Sequence, residues 1–137
     1  MRAVAPAPIF GDARSTRRRS VGVVDDDPAI LRALGRLLRA AGLSVETFMS
    51  AEELLASDRI TQIVCLVVDI HLGGMSGFDL QKRLVETRRS IPIIFITALD
   101  DAPTRERARR AGAIDYLRKP FDEPALLGAI ARALDGA

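Results

Sequence analysis

Ile63-Val64-Cys65-Leu66-Val67-Val68-Asp69 is an unbroken apolar run closed by an acid. A strand with one wet face alternates apolar and polar residues, whereas an uninterrupted run is expected where helices cover both faces of a parallel sheet. The pattern recurs on both sides of this segment. Val21-Gly22-Val23-Val24 runs into Asp25-Asp26-Asp27, and Ile93-Ile94-Phe95-Ile96, introduced by Pro92, runs into Thr97. Ala113-Ile114-Asp115-Tyr116-Leu117 leads to Lys119-Pro120. Only Leu43-Ser44-Val45-Glu46-Thr47-Phe48 alternates, as a half-exposed edge strand should.

Helical signals fill the gaps. Asp27-Pro28 is a helix start, because Asp caps and Pro is tolerated at the first helical position. Ile30, Leu31, Leu34, Leu37 and Leu38 follow at helical spacing, and Gly42 falls where a helix ends. Ser50-Ala51-Glu52-Glu53 has the capping-box spacing. Further helices are expected near Phe78–Thr87, over the arginine-rich Asp100–Arg110, and after Asp122 with Leu126, Leu127, Ile130 and Leu134 on one face. Strands alternating with helices specify a doubly wound α/β domain with a five-stranded parallel sheet and helices on both faces. With the alternating strand at an edge and the apolar strands central, right-handed crossovers lead to the order 2-1-3-4-5.

Composition agrees with one such domain. The chain has 137 residues, is 48% apolar and 28% charged, and so can build a single core. The net charge of +2 hides an asymmetry. Residues 1–20 carry five arginines (Arg2, Arg14, Arg17, Arg18 and Arg19) against Asp12, whereas the rest carries 15 basic and 17 acidic side chains. The basicity therefore belongs to an N-terminal arm, residues 1–19, and residues 20–137 form the folded domain. The body gives no reason to expect direct nucleic-acid binding. The single cysteine, Cys65, excludes an intramolecular disulfide and reads as a buried strand residue. No apolar run approaches the ~18–20 residues that span a bilayer, and the N-terminus lacks a continuous apolar signal core. The expected location is the cytoplasm, with no membrane association.

A parallel sheet brings the carboxyl ends of its strands to one edge, and ligands bind there at the switch point, here between the first and third strands. Asp25, Asp26, Asp69, Thr97 and Lys119 all fall on that edge. Three close carboxylates repel one another unless a cation intervenes. All-oxygen ligands with room for water and a phosphoryl oxygen suit Mg²⁺, which prefers octahedral geometry at ~2.0–2.1 Å. Asp69 is the candidate nucleophile, since a carboxylate can accept a phosphoryl group as an acyl phosphate. Lys119 would neutralise phosphoryl oxygens as a point charge, and Thr97 would donate a hydrogen bond to another.

These segments together resemble the response-regulator receiver domain of two-component signalling, over about residues 20–135. The resemblance lies in Val-Val-Asp25-Asp26-Asp-Pro, Val-Asp69-Ile-His-Leu-Gly-Gly-Met-Ser-Gly77, Ile-Pro-Ile-Ile-Phe-Ile-Thr97-Ala98, Ala111-Gly-Ala and Asp-Tyr-Leu-Arg-Lys119-Pro120-Phe121. It implies the flavodoxin-like arrangement. It further implies that Asp69 takes a phosphoryl group from a phosphohistidine on a histidine kinase or phosphotransfer protein. Asp25, Asp26 and Asp69 would hold Mg²⁺, with the backbone carbonyl of His71 completing the protein ligands. Thr97 and Tyr116 would be the switch residues. Their shift would alter the surface made by the fourth helix, fifth strand and fifth helix, where a downstream partner docks and a phosphorylation-dependent homodimer can form. The implied activity is that of a phosphoacceptor that assists its own phosphorylation and slow dephosphorylation, not of a turnover enzyme.

The chain departs from the family where Leu-Pro-x-Met usually follows the acceptor. Here the residues are Leu72-Gly73-Gly74-Met75, and loss of the proline's fixed φ predicts a more mobile loop. His71, the only histidine, is expected with Leu99 to set water access to the acceptor. Two other readings remain open on sequence alone. One is a phosphorylation-silent interaction module with the same fold. The other is the receiver part of a longer DNA-binding regulator. An aspartyl phosphohydrolase is disfavoured, because neither a second acid/base beside Asp69 nor a substrate cap is visible.

Overall fold

The computed structural model describes residues 19–136, so the arm assigned to residues 1–19 lies, Arg19 apart, outside the described residues. The chain runs β1 (Ser20–Val24), α1 (Pro28–Ala40), β2 (Ser44–Phe48), α2 (Ala51–Ala56), a 3₁₀ turn (Asp58–Gln62), β3 (Ile63–Asp69), α3 (Gly77–Glu86), β4 (Ile93–Thr97), α4 (Ala102–Arg110), β5 (Asp115–Arg118) and α5 (Glu123–Asp135). All strand pairs are parallel and the order is β2-β1-β3-β4-β5. The expected fold and strand order are both present.

Alternation along the strands divides the core between the two faces of the sheet. Val21, Val23, Cys65, Val67, Ile94 and Ile96 pack with apolar residues of α1 and α5. Leu66, Val68, Ile93 and Phe95 face those of α2, α3 and α4. β1 and β4 are buried throughout, whereas β2 is partly exposed at one edge and β5 at the other.

Local chemistry sets the helix ends. Asp27 caps α1 by accepting from the Ala29 N–H at 2.9 Å, and Ser50 caps α2 by accepting from Glu53 N–H at 3.0 Å. Glu53 reaches back to Met49 N–H, one residue before the cap, so the reciprocal half of the expected box is displaced by one position. α3 begins at Gly77 because Ser76 and Asp79 form a reciprocal capping box. Asp122 precedes α5 but makes no side-chain cap bond. α1 buries Leu31, Leu34 and Leu38, while Ala108 is the only buried residue of α4. At about 1.5–3 kcal/mol per buried large apolar side chain, α1 is firmly anchored and α4 is held weakly. α4 also borders the strand ends where the site forms.

Cys65 is fully buried on β3, and burial pushes its thiol up to about 12. At mildly alkaline pH the thiolate fraction is then on the order of one in ten thousand. Iodoacetamide is therefore expected to leave the folded protein unmodified and to alkylate Cys65 fully once denaturant unfolds it. Rapid labelling of the native protein, followed by intact mass, would contradict this burial.

Candidate functional site

Three strand ends and the segment after β5 build one polar cluster at the sheet's carboxyl edge. Asp25 directly follows β1, Asp69 ends β3, Thr97 ends β4 and Lys119 directly follows β5. Backbone bonds hold these ends in register: Asp25 N–H donates to Phe48 O at 3.1 Å, Ile70 N–H to Ile96 O at 3.0 Å, and Lys119 N–H to Thr97 O at 2.7 Å. The Lys119–Pro120 peptide bond is cis.

Lys119 lies between the two buried acids. Its Nζ is 2.7 Å from Asp25 Oδ2 and 3.1 Å from Asp69 Oδ2. The other oxygen of each acid accepts a backbone N–H two residues on, Asp27 for Asp25 at 2.9 Å and His71 for Asp69 at 3.0 Å. Both carboxylates are thus held at fixed orientation. Asp26 is exposed and completes a trio in which one carboxylate oxygen from each acid lies within 4.8 Å of the others.

Burial pushes the Asp25 carboxyl above its ordinary range, with the nearby Asp69 charge adding to this and Lys119 opposing it. Burial also works against the Lys119 ammonium, yet its hydrogen bonds to Asp25 and Asp69 outweigh that and raise it. The site therefore contains concentrated negative charge that one lysine only partly offsets. Three close carboxylates, two of them buried, form a donor set of the kind a hard divalent cation takes.

Thr97 is fully buried at the expected position. Its hydroxyl is bonded locally, accepting from Leu99 N–H at 3.0 Å and donating to Leu99 O at 3.2 Å. To serve a phosphoryl oxygen it must leave that turn. Tyr116 sits beside Phe95 across the β4–β5 pair, partly buried against the core, with its hydroxyl buried and unbonded among the described residues. Arg105, ion-paired to Asp100 at 2.6 Å, lies over the Tyr116 ring at 5.4 Å. Burial and the neighbouring Asp100 raise the phenol's pKa, so it remains a neutral donor. His71 and Leu99 are both exposed on the loops that follow Asp69 and Thr97.

Two contributors escaped the sequence reading. Gly77 packs so closely beneath the end of β3 that a Cβ there would lie 2.9 Å from Asp69 O and 3.0 Å from Ile70 Cα. Glu52 reaches from α2 to accept from Met75 N–H at 3.3 Å, tying down the glycine loop. Gly74 adopts φ +80°, where a side chain would meet that Glu52 carboxylate. The Ser76–Asp79 spacing is a local signal for the start of α3 that apolar spacing alone passes over, but nothing local signals Glu52, whose partner is 23 residues away.

The comparisons agree with this geometry. A sequence model of the response regulator receiver domain matches residues 21–131. The chain belongs to the response regulator receiver domain family. Its similarity to the response regulator protein TodT of Pseudomonas putida is 45% identity over 120 residues, 88% of this chain and 53% of that protein. Nodulation protein W of Bradyrhizobium diazoefficiens is 42% identical over 125 residues, 91% of this chain and 55% of the relative. The receiver superposes on the structure of response regulator StyR with a TM-score of 0.79 and 49% identity, covering 85% of this chain and 59% of that one. It therefore spans about half the length of the curated relatives it matches. Among the described residues, no helix is long and apolar enough to cross a membrane.

Proposed function

We propose that this receiver is the phosphoacceptor of a two-component phosphorelay, taking a phosphoryl group on Asp69 from a phosphohistidine of a histidine kinase or phosphotransfer protein in the cytoplasm. The observation that carries this reading is Lys119 Nζ bridging the buried carboxylates of Asp25 and Asp69. A carboxylate oxygen of Asp69 attacks phosphorus as the phosphorus–nitrogen bond breaks, and the bonding electron pair leaves with the donor imidazole. Lys119 offsets charge on the phosphoryl oxygens, and the N–H of His71 keeps Asp69 oriented. Asp25, Asp26, Asp69 and the carbonyl of His71 would hold Mg²⁺, which when bound supplies further charge neutralisation at the phosphoryl oxygens.

Once Asp69 is modified, Thr97 exchanges its Leu99 partners for a phosphoryl oxygen and Tyr116 follows it. The weakly anchored α4 then shifts, changing the α4–β5–α5 face for a downstream protein or a second copy. The phosphoryl group leaves slowly by hydrolysis, at a rate that exposed His71 and Leu99 influence through water access. A second reading is favoured by the lengths of the relatives: the domain serves as the receiver half of a longer regulator whose output lies elsewhere.

Incubation with Mg²⁺ and acetyl phosphate is expected to add one phosphoryl group, read by intact mass, and chelation with EDTA is expected to prevent it. No mass gain under conditions that load another receiver would leave the silent interaction module as the function.

A further inference from the structure

Several arginines on the helical surfaces are answered from within the chain, although Arg32, Arg36 and Arg39 of α1 and Arg83 of α3 form no ion pair among the described residues. Arg59 pairs with Glu46, Arg105 with Asp100, Arg109 and Arg110 with Glu106, and Arg132 with Asp115. The cations along α3 and the facing edge of α4 are not. Lys82, Arg88, Arg89 and Arg107 form no ion pair among the described residues.

These four line one groove. Three adjoining cavities run along α3 and share walls, the first two through Phe78 and Arg107 and the next two through Gln81, Val85 and Ala111. The groove extends from His71, beside the acceptor, to Arg88 and Arg89 at the opposite edge of the sheet. Its floor is apolar, with Phe78, Leu84 and Ile93 among its walls, and Val85 stands 69% exposed on its rim. Asp79 is the one carboxylate that lines it; it caps α3 and also lies close enough to Arg107 and Lys82 for their charges to help lower its pKa.

Arg88 adds an independent sign. It occupies the left-handed region at φ +61° just beyond α3, a position that glycine fills without penalty. A cation is held there against its backbone preference, and such strain is commonest at functional positions.

We propose that the α3–α4 groove is a docking site for an acidic peptide segment that presents apolar side chains to Val85 and the groove floor. An apolar floor flanked by four cations and a single carboxylate complements carboxylates alternating with aliphatic groups. Nucleic acid fits less well, since the one aromatic face in the groove, Phe78, is already covered by Arg107 at 4.3 Å. The face differs from α4–β5–α5, where Arg105, Arg109, Arg110 and Arg132 are paired internally and Arg118 is not.

The test is an NMR titration of the whole unphosphorylated chain with a short synthetic peptide of aspartate, glutamate and leucine. A peptide of the same length with lysine in place of the acids serves as control. Saturable shifts are expected at the amides of Gln81, Val85 and Arg88 with the acidic peptide only, weakening as salt is raised. Combining Arg88→Gly with Arg89→Gln is expected to weaken binding about tenfold, since rim charges set much of such recognition. Arg88→Gly alone should raise the melting temperature by releasing the left-handed strain, so weaker binding would not reflect misfolding. Val85→Asp should abolish saturation. Absence of saturable shifts, or unchanged affinity in the double variant, overturns the proposal. So does a short DNA duplex that binds the same amides more tightly than the peptide, or self-association mapping to them without peptide.

Discussion

Asp69→Ala is expected to gain no phosphoryl mass from acetyl phosphate under conditions that load the wild type, while still folding. The loss follows from chemistry, because alanine offers no oxygen to attack phosphorus. Retention of the fold follows from the cluster's electrostatics. Asp69 is buried beside the like charge of Asp25, so its removal leaves Lys119 with one close partner in place of two competing ones. Lys119→Ala is the informative contrast. That variant keeps the acceptor oxygen but leaves two buried carboxylates without their cation. Removing one partner of a buried ion pair costs about 3–5 kcal/mol, and losing one charge-stabilising group typically slows a reaction by about 10²–10³-fold. Unfolding by urea should separate the two variants, with Lys119→Ala destabilised and Asp69→Ala not. A Lys119→Ala protein as stable and as readily phosphorylated as wild type would remove Lys119 from the mechanism.

The pH dependence of this contrast has a definite sign. The folded Asp25 carboxyl titrates above its unfolded value, chiefly through burial. The folded state therefore holds that proton more tightly, and this stabilisation is lost as pH rises through the raised value. Lys119 is raised as well, through its two carboxylate partners, so its contribution is present throughout the neutral range and fades only at alkaline pH. Without Lys119 the ionised Asp25 is left uncompensated, so the destabilisation of Lys119→Ala should be greater at neutral pH than in mild acid.

What the sequence disclosed depended on whether the cause was local. The run Ile63–Val68 could not be a one-sided strand, and the alternation in Ser44–Phe48 could not be a central one, so sheet order followed from side-chain patterning. Asp25, Asp69, Thr97 and Lys119 were legible because parallel strands necessarily carry their carboxyl ends to one edge. Element boundaries shifted where a single side chain decides them. Ser76 starts α3 one residue earlier than apolar spacing suggests, and β5 begins at Asp115 after a turn that the apolar Ala113 and Ile114 had disguised as strand. The resting partners of Thr97 were illegible, because a hydroxyl at a strand end can serve either a ligand or the adjacent loop backbone. Glu52's hold on the glycine loop and the gathering of cations along the α3–α4 groove exist only in three dimensions.

Gly77 shows the same limit with a large expected effect. In the sequence it is one of ten glycines, at the first turn of a helix where alanine would ordinarily be the better residue. Replacing a glycine whose backbone suits any residue usually stabilises by about 0.4–1 kcal/mol. Here the sign is expected to reverse. The added carbon of Gly77→Ala would meet Asp69 O at 2.9 Å, Ile70 Cα at 3.0 Å and Val68 Cγ1 at 3.2 Å. The two nearest are backbone atoms of the last residue of β3 and of the residue after it, which no rotamer change can clear. Overpacking of this kind costs about 1–3 kcal/mol, more than helix propensity returns. Relief requires α3 to move away from β3, straining the Gly77 N–H bond to Ile70 O at 3.0 Å and turning the end of the strand that carries Asp69. Gly77→Ala should therefore lose stability and phosphorylation rate together, and Gly77→Val should lose more of both. Gly73→Ala is the matched control. Its new carbon would approach nothing nearer than Asp26 Oδ2 at 4.0 Å, so its stability should stay within about 0.5 kcal/mol of wild type. Urea unfolding together with initial rates of acetyl phosphate labelling measures all three. A Gly77→Ala protein at least as stable as wild type would mean that Asp69 does not rest on this close approach.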